Sequence, residues 1–147
     1  MKQLLRVFAL LLTLIFLTFC SEPRQQPVYE FNLNNPADTG SRFPFLYSDP
    51  GGLISMSWLL NIEEDIYALQ FTTYRDGMWT APQTTRIAVD YFVNWADFPS
   101  VVSFEGEVIA LHSLRKKEGG PYAYDIDITF RDEETGRWDR VITPHLD

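Results

Sequence analysis

Thr73-Tyr74-Arg75-Asp76-Gly77-Met78-Trp79-Thr80-Ala81-Pro82 is the stretch on which the reading of this chain turns. An aromatic and β-branched run from Asp65 leads into it, and Asp-Gly between two such runs is a strong local signal of a β-hairpin. The pattern returns downstream. Pro121 to Phe130 leads into Arg131-Asp132-Glu133-Glu134-Thr135-Gly136-Arg137-Trp138, so that 56 residues (130 − 74) separate Tyr74 from Phe130. Working outward, Phe45 to Ser48, a turn at Asp49 to Gly52 and a run from Leu53 to Leu60 recur as Ser100 to Ser103, a turn at Glu105-Gly106 and a run from Glu107 to Leu114. No stretch of this region holds a helical period. An all-β fold is therefore expected, with strands over 43–48, 53–60, 65–74, 78–81, 99–104, 107–114, 122–131 and 137–142.

Four-stranded antiparallel units repeated at this interval are the blades of β-propellers. The expected architecture is thus a partial propeller of about two blades, 43–82 and 99–144, with Trp79 and Trp138 packed between neighbouring blades. An ordinary β-sandwich with coincidental spacing is the competing architecture. A ring needs roughly 4 to 8 blades to close, and a chain of 147 residues has room for two, so a piece of a longer protein is expected.

The N-terminus begins differently. Lys2 and Arg6 precede an apolar run from Val7 to Phe19 that stops at Cys20-Ser21-Glu22-Pro23, the charged and hydrophobic regions of an export signal. The run falls short of the roughly 20 apolar residues that a membrane-spanning helix needs. Leu17-Thr18-Phe19-Cys20 resembles the lipobox of bacterial lipoproteins, with Phe19 in place of the usual small residue. The resemblance implies a signal helix over 1–19, lipidation at Cys20, a flexible tether over 20–42 rich in Pro and Asn, and residence in the cell envelope, anchored to the outer or inner membrane through lipid. An ordinary secretory signal, or an uncleaved anchor, with a cysteine there by chance is the alternative. Cys20 is the only cysteine, so no disulfide within the chain can staple the fold.

The chain holds 20 acidic residues against 12 basic ones, a net charge of −8, and loses Lys2 and Arg6 with the signal. Such a surface repels phosphate backbones, which excludes nucleic acid as a natural partner. No Gly-rich phosphate loop, nucleophile elbow or paired-cysteine zinc spacing is present, and no cofactor is expected.

The hairpins at Asp76 and Asp132 resemble the Asp-box turns of sialidase-like (BNR-repeat) propellers, in which an aspartate locks the turn and a tryptophan plugs the blade. Trp95-Ala96-Asp97-Phe98-Pro99-Ser100, Leu111-His112 and Tyr122-Ala123-Tyr124-Asp125-Ile126-Asp127 are similar to segments of sialidase-like lipoproteins of bacterial envelopes. The resemblance implies a protein derived from exo-sialidase-like glycoside hydrolases. It places the nucleophilic tyrosine, its glutamate and the later arginines in blades this chain lacks, so catalysis by this chain alone is not expected. The alternative function is a non-catalytic carbohydrate- or protein-binding module.

Candidate residues follow from these readings. Arg42-Phe43-Pro44 matches the start of the family's Arg-Ile-Pro motif, which would make Arg42 a carboxylate-binding arginine; a solvated tether arginine is the plainer account. Asp97, flanked by aromatics in a loop, is a candidate acid/base or hydroxyl-binding carboxylate, against an Asp that merely caps a turn. Trp95, His112, Tyr124 and Asp125 are candidate substrate-binding residues, with Trp58 and Tyr122 as further exposed aromatics. A lone His112 among apolar neighbours also fits a hydrogen-bonded core residue. Asp125 and Asp127 share a strand face by the period of two and could ligate calcium or form a solvent-facing polar stripe. His112 and His145 lie too far apart in sequence to suggest a metal site.

Overall fold

The computed structural model describes residues 34–144. The signal segment, Cys20, most of the tether and His145 fall outside the described residues. Within them the chain is all-β, without a helix, and forms two antiparallel sheets.

The first sheet contains β1 (Ser41–Ser48), β2 (Ile54–Glu63), β3 (Ile66–Arg75), β4 (Met78–Trp79) and β5 (Gln83–Ala88). The second contains β6 (Val101–Phe104), β7 (Glu107–Lys116), β8 (Tyr124–Phe130) and β9 (Arg140–Ile142). The second is a meander in which consecutive strands pair; in the first, β1 to β4 pair in order and β5 returns to pair with β3. Two tight turns set the register. Asp76-Gly77 (φ 51° and 81°) and Glu105-Gly106 (φ 49° and 81°) both occupy the left-handed region, as a two-residue type I′ hairpin requires. Ladder pairs Arg75↔Met78 and Phe104↔Glu107 close directly over them.

β5 is the strand the sequence pattern does not announce. The expected fourth strand, 78–81, shrinks to β4, because Pro82 has no N–H to continue the ladder. The chain then rejoins β3 further along, from Phe71↔Gln83 to Tyr67↔Ala88. β1 begins at Ser41, so Arg42 belongs to a strand rather than to a tether. Phe43, at φ 58°, sits within the register break that follows Arg42. Its ring packs on the core, which holds a bulky residue where its backbone alone would not settle.

The sheets share one core, built from Leu59, Leu69 and Phe71 on one side and Val101, Val108 and Leu111 on the other, with Tyr91 from the connecting segment. The faces that meet are equivalent ones. Ser55↔Thr73 and Ser57↔Phe71 in the first sheet correspond, 56 residues on, to Leu111↔Thr129 and Ser113↔Asp127 in the second. Contacts across the join place both of these faces inward: Arg86, opposite Leu69 in the first sheet, bonds Asp127 on β8 of the second, and Trp138 lies edge-on to Phe71 at 5.2 Å. Rotation about a ring axis would instead bring a sheet's front against its neighbour's back. Like faces in contact are the packing of two sheets in a sandwich.

The two tryptophans of the repeat consequently part company. Trp138 wedges between the sheets, whereas Trp79 packs on Tyr74 of its own sheet at 5.2 Å, on the outward face. The aspartate-locked turns are also redistributed. Asp132 Oδ1 accepts both the Thr135 N–H and its hydroxyl at 2.7 Å, and Asp49 Oδ1 accepts the Leu53 N–H at 2.8 Å. The Asp76 turn is set by backbone conformation alone.

Candidate functional site

The segment between the sheets, 89–100, carries the candidate site. Its start adds to the second sheet beside β7, where Tyr91 bridges to Arg115 and the Phe92 N–H donates to the Leu114 carbonyl at 2.9 Å. The chain then turns at Asn94. The Asn94 Oδ1 accepts the N–H groups of Ala96 (2.6 Å) and Asp97 (3.1 Å), and its amide donates to the Asp97 carboxylate. This Asx-type turn fixes the loop by side-chain bonds where no ladder exists. It leaves Trp95 at the tip, 87% exposed.

Asp97 and His112 come together as a pair. Burial lowers the His112 pKa below its ordinary value; the negative charge of Asp97 and a hydrogen bond to the Phe98 backbone oppose that but do not win. The imidazole is neutral near pH 7. Phe92 and Tyr124 stack nearby at 4.9 Å with their planes tilted by 33°. Tyr122, one residue before Ala123 in the β7–β8 connection, is 83% exposed.

The other sequence candidates lie elsewhere. Arg42 is exposed on edge strand β1, opposite Leu59, and its side chain forms no hydrogen bond or ion pair with the described residues. Trp58 is not an exposed aromatic: it is 1% exposed on the outward face of the first sheet, with its indole N–H donating to Gln70 Oε1 at 3.0 Å. Asp125 is not available to a substrate either, nor is Asp127, because their strand face turns inward. Asp127 accepts from Arg115 Nε (2.9 Å), Arg86 Nη1 (3.3 Å) and the Thr143 hydroxyl (2.8 Å), and Asp125 from Lys117 Nζ (2.7 Å) and Arg115 Nη2 (3.4 Å). These are the bonds of a buried ion network that ties the sheets together. With its oxygens so occupied the pair is not a calcium site, and no group of three or more ligating side chains among the described residues is placed to hold a metal ion.

Sequence reasoning missed the cations of this network. Arg86 lies on the unannounced β5, and Arg115 faces Asp125 across the β7–β8 ladder, a pairing visible only once the register is known. Arg86 also lies over the Tyr91 ring at 5.3 Å. Burial raises the Tyr91 pKa well above its ordinary value, so its hydroxyl is a neutral donor, held near the Arg86 carbonyl.

The hollow beside Asp97, Phe98 and Leu114 encloses about 10 Å³, whereas sites that engulf small molecules run to roughly 300–1,000 Å³. No protein-family model, no curated protein and no solved structure matches this chain.

Proposed function

We propose that this chain is a lipid-anchored module of the bacterial cell envelope that binds carbohydrate without cleaving it. The observation that carries the reading is Trp95, a nearly fully exposed indole on a loop pinned by the Asn94 turn. The turn fixes the backbone that carries Trp95, and a flat apolar ring displayed in water offers a surface on which the apolar faces of sugar rings stack. Asp97 lies two residues away to accept hydroxyl protons, and neutral His112 stands beside it. The glycosidase chemistry of the resembled family needs a nucleophilic tyrosine and its glutamate, which the resemblance assigns to blades outside this chain, and that favours binding over cleavage.

Glycan-array binding by the exported chain, reduced at least tenfold in Trp95→Ala and weakened in Asp97→Asn, is the expected result. Array binding equal in wild type and Trp95→Ala would refute it. A fluorogenic sialoside should remain intact. Metabolic labelling with a palmitate analogue should mark the wild type and not Cys20→Ser.

A second reading keeps the sheets as blades of a longer sialidase-like ring. The aspartate-locked turn at Asp132 supports it, while the meeting of like faces weighs against it. Sialoside hydrolysis gained when this chain is expressed joined to further blade-like repeats, and absent without them, would support it.

A further inference from the structure

The end of the sandwich away from the ion network opens into a cleft. One lobe, about 380 Å³, has Glu105, Glu107 and Glu133 around Phe104 and Ile109. The other, about 230 Å³, has Arg75, Thr73, Thr80 and Gln83 over Phe71. Val108, Glu107 and Arg131 line both lobes. Arg75 and Arg131 occupy equivalent positions of the repeat, each following the last aromatic of a long strand. They reach one cleft because like faces of the two sheets meet.

The charges in this cleft are unevenly satisfied. Arg131 Nη1 is paired with Glu107 Oε2 at 2.7 Å, which settles the boundary between the lobes. Arg75 donates only to the Gly106 carbonyl, a neutral acceptor, so its guanidinium is held in place without a carboxylate partner among the described residues. Glu105 and Glu133 on the opposite lobe have no described cation either. One lobe thus keeps an unspent positive charge and the other unspent negative charge, with Val108 between them.

We infer that this cleft binds a short zwitterionic peptide, its carboxylate on Arg75 and its ammonium between Glu105 and Glu133, with a side chain over Val108. A guanidinium fork suits a carboxylate, and a compact ammonium suits a pair of carboxylates. The site is independent of Trp95 and of the glycan reading.

The test is an NMR titration of the purified full chain with the dipeptide leucyl-alanine, set against its N-acetylated and C-amidated forms. The expected result is perturbation of the Val108, Thr73 and Arg131 amides by the free dipeptide, with each blocked form binding about tenfold more weakly. Arg75→Gln should erase the discrimination against the amidated form only. The double variant Glu105→Gln/Glu133→Gln should erase the discrimination against the acetylated form only. These side chains are exposed, and an unchanged thermal midpoint shows that the variants fold. Equal binding of free and blocked peptides, discrimination that survives both variants, or no perturbation up to about 10 mM peptide would overturn the proposal.

Discussion

His112 and Asp132 carry opposite lessons about a side chain's surroundings. Burial holds the folded His112 below the free value of about 6.5, so below that pH the unfolded chain takes up a proton that the folded chain refuses. The contribution is fully present above pH 6.5 and declines as the pH falls towards the folded value. An NMR titration should place its midpoint below 6.5, and Asp97→Asn should move it lower still, because the carboxylate is what pulls it up; a midpoint at or above 6.5 overturns this assignment. Asp132 is depressed by the hydrogen bonds from Thr135, so its turn is supported above the usual carboxylate range and released as the pH falls through the depressed value. Thr135→Val should raise the Asp132 midpoint, because the hydroxyl that holds it down is gone, without altering that of His112. Trp95 makes a third case. With its indole in solvent, Trp95→Ala should change stability by no more than about 0.5 kcal/mol in urea denaturation.

At the scale of elements, the turns separate conformational cost from packing cost. A Cβ added to Gly77 or Gly106 meets nothing within 4 Å, so the penalty for Gly77→Ala or Gly106→Ala comes only from the left-handed backbone at φ +81°. Each should lose about 1–2 kcal/mol in urea denaturation, and no loss at either position would show that the turn has relaxed to another type. These turns were the legible part of the fold. Asp76-Gly77 and Glu105-Gly106 announce hairpins because few residue pairs tolerate two left-handed conformations in succession, and the alternation around them fixes strand positions to within a few residues. β5 was not legible, since Gln83-Thr84-Thr85-Arg86-Ile87-Ala88 follows a proline and takes its place from pairing with β3, a long-range event. The sheet-to-sheet arrangement was not legible either. Period two assigns residues to a face and does not say which face is covered. Acidic side chains argue for solvent, which is why Asp125 and Asp127 read as a surface stripe. The site was legible only as separate residues: Asp97, Trp95 and His112 stood out one by one, and their nearness follows from how the 89–100 segment lies against β7, whereas Trp58 is covered by a packing that no local pattern encodes.

For the whole molecule, the question is what holds two sheets face to face when one presents Leu69 and Phe71 and the other presents Asp125 and Asp127 at the equivalent positions. The apolar half closes by burial, with Trp138 filling the space against Phe71. The acidic half closes because cations arrive from both sheets: Arg86 crosses from β5, and Arg115 comes from β7. Asp127 is the node, at 2% side-chain exposure, bonded to both guanidinium groups and to Thr143 near the end of the described chain. Removing it leaves Arg86 with Asp90 and Arg115 with Asp125, so the loss falls short of the about 3–5 kcal/mol that follows when a buried ion loses its only partner. Asp127→Ala should lower stability by about 2 kcal/mol in chemical denaturation, even though it removes only a small side chain. The pair Arg137–Asp139 is the internal control. Its groups are 74% and 54% exposed at 3.4 Å, and Asp139→Ala should cost less than about 1 kcal/mol, because water already solvates both charges. A double-mutant cycle on Arg86 and Asp127 gives the part that crosses the join. Coupling indistinguishable from zero would mean that the sheets are held by their apolar half alone, with the ions only filling the remaining space.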